Sequence, residues 1–134
     1  MKARAYFKRA YLADERIAAG ICEVENLRRA IRLLENHKDD PMGIRLAAVL
    51  EKLWVLEDEL CDEIDSLVEL KAQMRRVIDT SPSVRERVVL RMRYLLGMAW
   101  ADIAELLQSD VETVLYWHGE GLRHVRLPAV PAQV

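Results

Sequence analysis

The sequence predicts an all-α protein in which a long antiparallel helical hairpin, coiled-coil-like, precedes a domain of three short helices. Apolar residues recur at intervals of three and four through two long stretches, the spacing that places side chains on one helix face. The chain has only five glycines and four prolines among 134 residues, so few positions would interrupt a helix. We therefore expect residues 1–80 to form the hairpin, as an oligomerisation domain, and residues 81–134 to form the second domain.

The first long helix is expected over residues 4–36. Its apolar residues keep the seven-residue repeat of a packed helical seam, and Gly20 on this seam would let a neighbouring helix approach closely. The polar run over residues 36–43, which contains Pro41, predicts a loop that reverses the chain. The seam positions are Ala10, Ile17, Val24 and Ile31, followed three residues later by Ala13, Gly20, Leu27 and Leu34.

The second long helix carries the clearest repeat in the sequence. Its apolar face exceeds the narrow stripe of a two-stranded seam, because Trp54, Val55, Cys61 and Val68 flank the repeat. Two arms of roughly 50 Å each would leave part of this face uncovered, so we expect a homodimer with four packed helices. The alternative is that the C-terminal domain folds back over the surplus. The predicted oligomerisation residues are Leu46, Leu53, Leu60, Leu67 and Met74.

Charge is divided unevenly along the chain. Residues 1–38 have nine lysines and arginines against five acidic residues, whereas residues 39–80 have five against eleven. A basic arm beside an acidic arm is typical of helices that pair, either within one chain or between two chains.

The two cysteines, Cys22 and Cys61, stand among the apolar residues of the two long helices and lack the spacing of a metal site. We predict that both are small core residues. If the chain reverses near Pro41, they also fall at similar heights on the two arms, so a redox-sensitive disulfide stays an alternative.

Three short helices are predicted in the C-terminal part. Ser81 with Pro82 behind it would start the first helix, and Ser83 with Glu86 has the spacing of an overlapping capping box. This helix is expected over about residues 82–96, and Gly97 would end it. The second covers residues 100–107, and Asp110 would cap the third. Each helix is predicted to turn one apolar face inward. These faces are Val88, Val89, Met92 and Leu95 in the first helix, Ile103, the small Ala104, Leu106 and Leu107 in the second, and Val114, Trp117, Leu122 and Val125 in the third.

The C-terminal part resembles region 4 of sigma-70-type transcription factors over the run RERVVLRMRYLLGMAWADIAELLQSDVETVLYWHGEGLRHVR. The whole chain looks like a family of small phage and prophage proteins that join a helical hairpin to such a domain. Those proteins carry a Tyr-x-His-Gly run, here Tyr116, His118 and Gly119. The resemblance implies a helix-turn-helix of the sigma-70 region 4 type in a DNA-binding transcriptional regulator of phage or mobile-element genes.

Double-stranded DNA is therefore the expected partner of the last helix. Glu112, Thr113 and Tyr116 would face base edges, where a glutamate accepts from the amino group of cytosine. Arg123 and Arg126 would contact phosphates. Further phosphate contacts are expected from Arg91 and Arg93 and, in a dimer, from Lys2, Arg4, Lys8 and Arg9.

Some residues depart from the pattern of these relatives. Gln108 stands where the turn usually has glycine, so we expect a left-handed backbone there at a cost of about 1 kcal/mol. Val111 and Leu115 are apolar where a promoter-reading helix tends to carry arginine, and residues 81–134 have no net charge. These departures favour an alternative, a module that binds RNA polymerase or a sigma factor without reading DNA.

A packaging adapter that resembles a small terminase subunit is a further alternative. Such proteins also combine a helix-turn-helix with an oligomerising helical hairpin. Their DNA-binding part normally comes first, whereas in this chain the corresponding part comes last.

No catalytic, cofactor or metal site is expected, and an enzyme is the function class we favour least. His118 and His124 fall on different helical faces, and no glycine-rich phosphate loop or nucleophile motif occurs. No apolar run reaches the roughly 18 residues that span a bilayer, and the N-terminus lacks the hydrophobic segment of a signal peptide. We therefore expect a cytoplasmic protein with no membrane partner.

Overall fold

The computed structural model describes residues 2–35 and 43–132, and all regular structure in this part of the chain is helical. The prediction of an all-α protein is confirmed. The predicted loop over residues 36–43 lies, except for Gly43, outside the described residues. The α-helices in chain order are α1 (Ala3–Glu35), α2 (Ile44–Ile78), α3 (Val84–Leu90), α4 (Trp100–Leu106) and α5 (Val111–His124).

The chain divides into two compact units. The terminal unit takes in the chain up to Leu12 and from Ser66 onward, and the middle unit is Ala13–Asp65. Both long helices contribute to both units, because α1 continues past Leu12 and α2 continues past Asp65. The two units group residues that pack together. They do not test whether residues 1–80 and 81–134 fold as separate domains, so the predicted boundary at residue 80 stays a prediction.

In the middle unit, α1 and α2 contact each other along the predicted seam. Leu60 Cδ1 lies 3.0 Å from the place where a Cβ on Gly20 would stand, so the glycine permits this contact. Arg28 and Glu57 form an ion pair at 2.9 Å, but both side chains are exposed and the pair contributes at most about 1 kcal/mol. The buried seam residues of this unit are Ala13, Ile17, Val24 and Leu53.

In the terminal unit, α3, α4 and α5 pack around a common core. Val89, Ile103 and Val114, one from each helix, are fully buried, and small Ala104 lies beside them. Burying one such aliphatic side chain stabilises the fold by about 1.5–3 kcal/mol. The partly buried residues packed against this core are Met92, Met98, Trp100, Leu107 and Trp117.

The helix that begins as α3 widens into a π turn over Arg91–Leu95 before it ends. The N–H of Leu96 donates to the carbonyl of Arg91 at 3.1 Å. Gly97 follows with φ of 66°, the left-handed conformation predicted for the residue that ends this helix. No local pattern of residues predicted the π turn.

A left-handed turn separates α4 from α5. Gln108 has φ of 52°, so the predicted left-handed glutamine is confirmed. Its N–H donates to the carbonyl of Glu105 at 3.1 Å, and the N–H of Ser109 donates to that of Ala104 at 2.9 Å. These are the two hydrogen bonds of a Schellman motif, here built without glycine. The two segments are therefore separate helices.

Three predictions about these short helices are wrong. α3 begins at Val84, so Ser83 and not Ser81 is its N-cap. Ser83 makes no side-chain cap hydrogen bond, and Glu86 is buried and binds His124 instead of closing a capping box. Leu106 is 61% exposed, although it was assigned to the inner face of α4. Ile103 supplies that face, and Leu106 lies at the end of the helix, on its solvent side.

Candidate nucleic-acid interface

A carboxylate cap begins α5. Asp110 Oδ1 accepts from the N–H of Thr113 at 2.8 Å, so the predicted N-cap is confirmed. Hydrogen bonds from the side chain and then the backbone of Thr113 hold the pKa of the Asp110 carboxyl below its usual value. Thr113 is half-buried here. It therefore has a structural role at the position where the sequence predicted a base contact.

The face of α5 that points away from the core consists of Val111, Glu112, Leu115 and Tyr116. All four are exposed, and Tyr116 exposes 65% of its surface. Val114, on the opposite side of the same turn, is fully buried. Of the three predicted base-contacting residues, Glu112 and Tyr116 thus share an accessible face.

The two arginines predicted to contact phosphates lie at the end of α5. The side chain of Arg123 is 78% exposed and pairs with Glu120 at 3.6 Å. Arg126 is exposed beyond the helix, and its backbone N–H donates to Thr80 Oγ1 at 2.8 Å. Both side chains remain accessible to an anionic partner.

Arg91 and Arg93, the other predicted phosphate contacts of this region, are engaged within the chain. Arg91 pairs with Asp79 at 2.5 Å. The guanidinium of Arg93 lies over the Trp100 ring, 4.3 Å from its centroid, and donates to the carbonyl of Met98 at 2.9 Å. Contact with a phosphate would compete with these interactions. We therefore expect Arg91 and Arg93 to contribute less to phosphate binding than Arg123 and Arg126.

The segment that contains α4, the turn and α5 is acidic. No lysine or arginine occurs from Tyr94 to Leu122. Proteins gain most of their sequence-independent affinity for DNA by neutralising phosphates with lysine and arginine. Phosphate attraction near α5 must therefore come from arginines outside this segment, namely Arg123 and Arg126 and also Arg85 of α3, whose guanidinium lies 5.2 Å from the centroid of the Trp117 ring. The acidic residues of the segment are Asp102, Glu105, Asp110, Glu112 and Glu120.

A buried histidine lies on the inner side of α5, in an aromatic cluster that sequence reasoning missed. His118 is 6% exposed, and its Nε2 lies 2.6 Å from the hydroxyl of Tyr94. The edge of its ring meets the Trp100 ring, with 4.7 Å between centroids. Phe7 of α1 stacks on Tyr94 at 4.8 Å. The cluster joins the first turns of α1 to the three-helix core.

His118 is uncharged in this environment. Burial, with smaller contributions from the positive charges of Arg4 and Arg93, lowers the pKa of His118 to about 4. Burial also raises the pKa of Tyr94, so its hydroxyl stays protonated and shares a hydrogen bond with the neutral imidazole. This arrangement supports packing rather than acid–base chemistry.

The first turns of α1 are part of the packing of the terminal unit. Tyr6 and Phe7 are fully buried, and the Tyr6 hydroxyl donates to Gln73 Oε1 at 2.7 Å. The sequence contains a signal for this burial, because Tyr6, Phe7 and Ala10 continue the apolar spacing of the first helix toward its start. Of the predicted N-terminal phosphate contacts, Lys2, Arg4 and Lys8 are exposed, whereas Arg9 donates to the carbonyl of Ala132.

A second buried polar contact holds the end of α5 against α3. The side chain of Glu86 is 7% exposed, and one of its carboxylate oxygens is bound by Nδ1 of His124. A carboxylate this deeply buried needs such a partner, because an unpaired buried charge costs several kcal/mol. Both residues therefore stabilise the arrangement of the helices.

The five predicted oligomerisation residues follow the covered side of α2. Leu53, Leu67 and Met74 are buried within the chain, and Leu46 and Leu60 are half-buried. Side chains that are already covered offer little surface to a second copy, so any such contact would use their neighbours. The large apolar residues that stay more than half exposed on the two long helices are Tyr11, Leu33, Ile44, Trp54, Val55 and Val68.

Cys22 and Cys61 are both exposed, with free thiols. The prediction that they are core residues is wrong. Each stands next to seam residues in sequence but on a different side of its helix, because Gly20, Val24 and Leu60 take the positions that face the partner helix.

None of the helices in residues 2–35 and 43–132 combines the length and the apolar character needed to cross a membrane. The same residues include no group of three or more histidine, cysteine, aspartate or glutamate side chains arranged to hold a metal ion. In comparisons with known proteins, neither a family model nor a curated protein nor a solved structure matches this chain.

Proposed function

We propose that this protein is a cytoplasmic, sequence-specific DNA-binding transcriptional regulator of phage or mobile-element genes. In this proposal, α3, α4 and α5 form a helix-turn-helix domain of the sigma-70 region 4 type, and α5 reads base edges in the major groove. Helices α1 and α2 form an antiparallel hairpin that pairs two copies of the chain.

The observation that carries this proposal is the division of α5 into two faces. One face is buried in the three-helix core through Val114 and His118, and the other presents Glu112, Leu115 and Tyr116 to solvent. The major groove of B-DNA admits one α-helix that presents such a face. Two short helices joined by a tight turn, with the second helix accessible, are typical of helix-turn-helix domains.

The contacts between the long helices support the hairpin. Position 20 of α1 lies against position 60 of α2, and position 28 pairs with position 57. The residue numbers of the contacting positions rise along α1 and fall along α2, which is the order expected of antiparallel helices.

The exposed apolar residues of the long helices support the homodimer. Trp54 and Val55 of the middle unit are each more than half exposed, although isolated soluble chains rarely leave several such side chains uncovered together. For a chain of 15.5 kDa, light scattering should give about twice that mass. Trp54→Glu should yield the monomer, and Glu59→Gln on the exposed surface of α2 should leave the dimer intact. A ring of eight or more chains would instead support a packaging adapter.

The charge of the domain sets the expected salt dependence of DNA binding. Arg123 and Arg126 supply two phosphate contacts per chain, and a dimer supplies four. Each neutralised phosphate contributes about −0.9 to the slope of log affinity against log salt, so we expect a slope of about −4. A regulator with this shallow slope depends on base contacts for most of its selectivity.

The test is selection of bound duplexes from a random pool, followed by fluorescence anisotropy on the enriched sequence. Tyr116→Ala should raise the Kd by about fivefold to 150-fold, because a good base contact is worth about 1–3 kcal/mol. Val84→Ala, which changes an exposed apolar residue of α3, is the matched control and should leave the Kd unchanged. The proposal would be contradicted if no sequence were enriched from the pool and the anisotropy of the duplex did not change on titration with protein at low salt.

A second candidate is a protein-binding module for RNA polymerase or a sigma factor. It is favoured by the acidic segment from Tyr94 to Leu122 and by the exposed apolar side chains of Leu115 and Tyr116. Capture of polymerase that is lost with Tyr116→Ala, in a protein that selects no duplex, would support this candidate over DNA binding. Selection of a duplex without capture of polymerase would exclude it.

A further inference from the structure

The chain leaves α5 at Val125 and continues as a non-helical tail, residues 125–132, which is bound through its backbone. Gln73 of α2 holds the tail on both sides of Pro131. Its Nε2 donates to the carbonyl of Val130 at 3.2 Å, and its Oε1 accepts from the N–H of Ala132 at 3.0 Å. Because proline has no N–H, these two groups are the ones that a side-chain amide can bind beside it.

The amide of Gln73 is also held by a residue outside the tail. The hydroxyl of Tyr6, a fully buried residue, donates to the same Oε1 at 2.7 Å. This bond orients the amide, so that its oxygen faces the N–H of Ala132 and its nitrogen faces the carbonyl of Val130. Arg9 adds a hydrogen bond to the carbonyl of Ala132. The first turns of α1 and the last turns of α2 thus present an oriented donor and acceptor to a peptide backbone.

The tail leaves space beside Tyr6. A partly open space of about 280 Å³ lies between Tyr6 and the tail, and its other lining residues all belong to the tail: Leu127, Pro128, Ala129 and Pro131. For comparison, a cavity of about 150 Å³ holds a benzene molecule. Val130 is 79% exposed, so its side chain adds little to the contact. The backbone bonds are therefore well formed, whereas the side chains of the tail leave space unused.

We propose that the surface around Tyr6, Arg9 and Gln73 is a binding site for non-helical, proline-containing peptide segments, and that the chain's own tail occupies it as a weak internal ligand. The prolines at 128 and 131 restrict the free segment and lower the entropy lost on binding. A segment with a larger apolar residue at the position of Ala129 fills the space beside Tyr6 and binds more tightly. This site is separate from the outward face of α5 and does not depend on binding of DNA.

The experiment uses the full chain and a fluorescent peptide, Leu-Pro-Leu-Val-Pro-Ala, which follows residues 127–132 with leucine in place of Ala129. A tethered tail competes at an effective concentration of about a millimolar. Pro131→Asp should release the tail, because it removes the ring that restricts the backbone between the two groups bound by Gln73 and places a charge in the space lined by Tyr6. The peptide should therefore bind this variant at least tenfold more tightly than the unchanged chain. Equal affinity for the two proteins would overturn the proposal.

Two further variants, made in the Pro131→Asp chain, test the site itself. Gln73→Ala should weaken peptide binding at least tenfold, and Glu69→Ala, an exposed position one turn earlier, should not change it. Gln73→Glu keeps an acceptor and loses the donor, so a partial loss is expected even if the alanine variant folds poorly. Binding that is unaffected by either change at Gln73 would contradict the assignment.

The same titration identifies whose tail occupies the site. Competition in the unchanged chain should not depend on protein concentration, because the competing segment belongs to the same molecule. Competition that grows with protein concentration would assign the tail to a second copy and overturn the internal arrangement. The assay contains no DNA, so its outcome is independent of the function proposed for α5.

Discussion

The terminal and middle units bury similar apolar residues to different depths. In the terminal unit, Ile103 and Val114 are fully buried among three short helices. In the middle unit, the seam residues Ile17 and Val24 keep 9% and 6% of their surface exposed, and Trp54, which follows the buried Leu53 on α2, is 59% exposed.

The difference follows from how many elements surround a side chain. Two paired helices cover each other along one stripe, so residues beside the stripe stay in solvent. Three helices that cross at different angles enclose a side chain from several directions. The apolar surplus of the middle unit is thus a consequence of two-helix packing, and a second copy of the chain is the partner that would cover it.

The largest expected effect tests this contrast directly. Ile103→Ala should lower the free energy of unfolding by about 3–4 kcal/mol, because it opens a cavity in an enclosed core. Leu33→Ala, at a position 64% exposed on α1, should cost less than about 0.5 kcal/mol. Urea denaturation followed by circular dichroism measures both. Similar small losses for the two variants would mean that the three-helix core is no better enclosed than the surface of the helical pair.

Acid should weaken the terminal unit through His118. The pKa of this histidine is about 4 in the folded chain and 6.5 in its ordinary state, so the unfolded chain binds more protons between these values. The free energy of unfolding should therefore fall as the pH drops from about 6.5 to about 4, and this contribution should level off below that. The loss is roughly 2 kcal/mol, because one pKa unit corresponds to about 1.4 kcal/mol and the ring keeps some contact with solvent.

His118→Gln provides the comparison, since glutamine keeps a polar atom near Tyr94 and does not titrate. The difference between the two stability curves removes the contribution of carboxylates, which both proteins share. A steeper fall for the unchanged chain confirms the role of His118. Parallel curves over this pH range would show that the imidazole is not protected by the fold.

Local sequence signals predicted the helices and their ends because those features depend on neighbouring residues. The seven-residue repeat marked the seam, Asp110 marked the start of α5, and Gln108 stood at the turn for which a left-handed backbone was expected. The outward position of Glu112 and Tyr116 also followed from helical spacing alone.

Features that depend on contacts distant in sequence were not predicted. Phe7 stacks on Tyr94, and Gln73 binds the backbone beside Pro131, across separations that no local pattern records. The error at Glu86 has the same origin. Glu86 suited a capping box by spacing, but His124 at the far end of α5 supplied a stronger partner.

The smallest expected effect compares two glycines in α5 that differ only in their surroundings. Gly119→Ala places a methyl group where no atom lies within 4 Å, so it should stabilise the chain by about 0.5–1 kcal/mol through helix propensity. At Gly121 the added Cβ would stand 3.0 Å from Leu90 Cδ1 and 3.3 Å from the Cβ of Glu86. The propensity gain is then offset by crowding, which typically costs about 1–3 kcal/mol, so Gly121→Ala should destabilise the chain by about 1 kcal/mol. Thermal unfolding of the two variants should move in opposite directions, and a rise in Tm for both would show that α3 does not press against α5 as closely as the terminal unit requires.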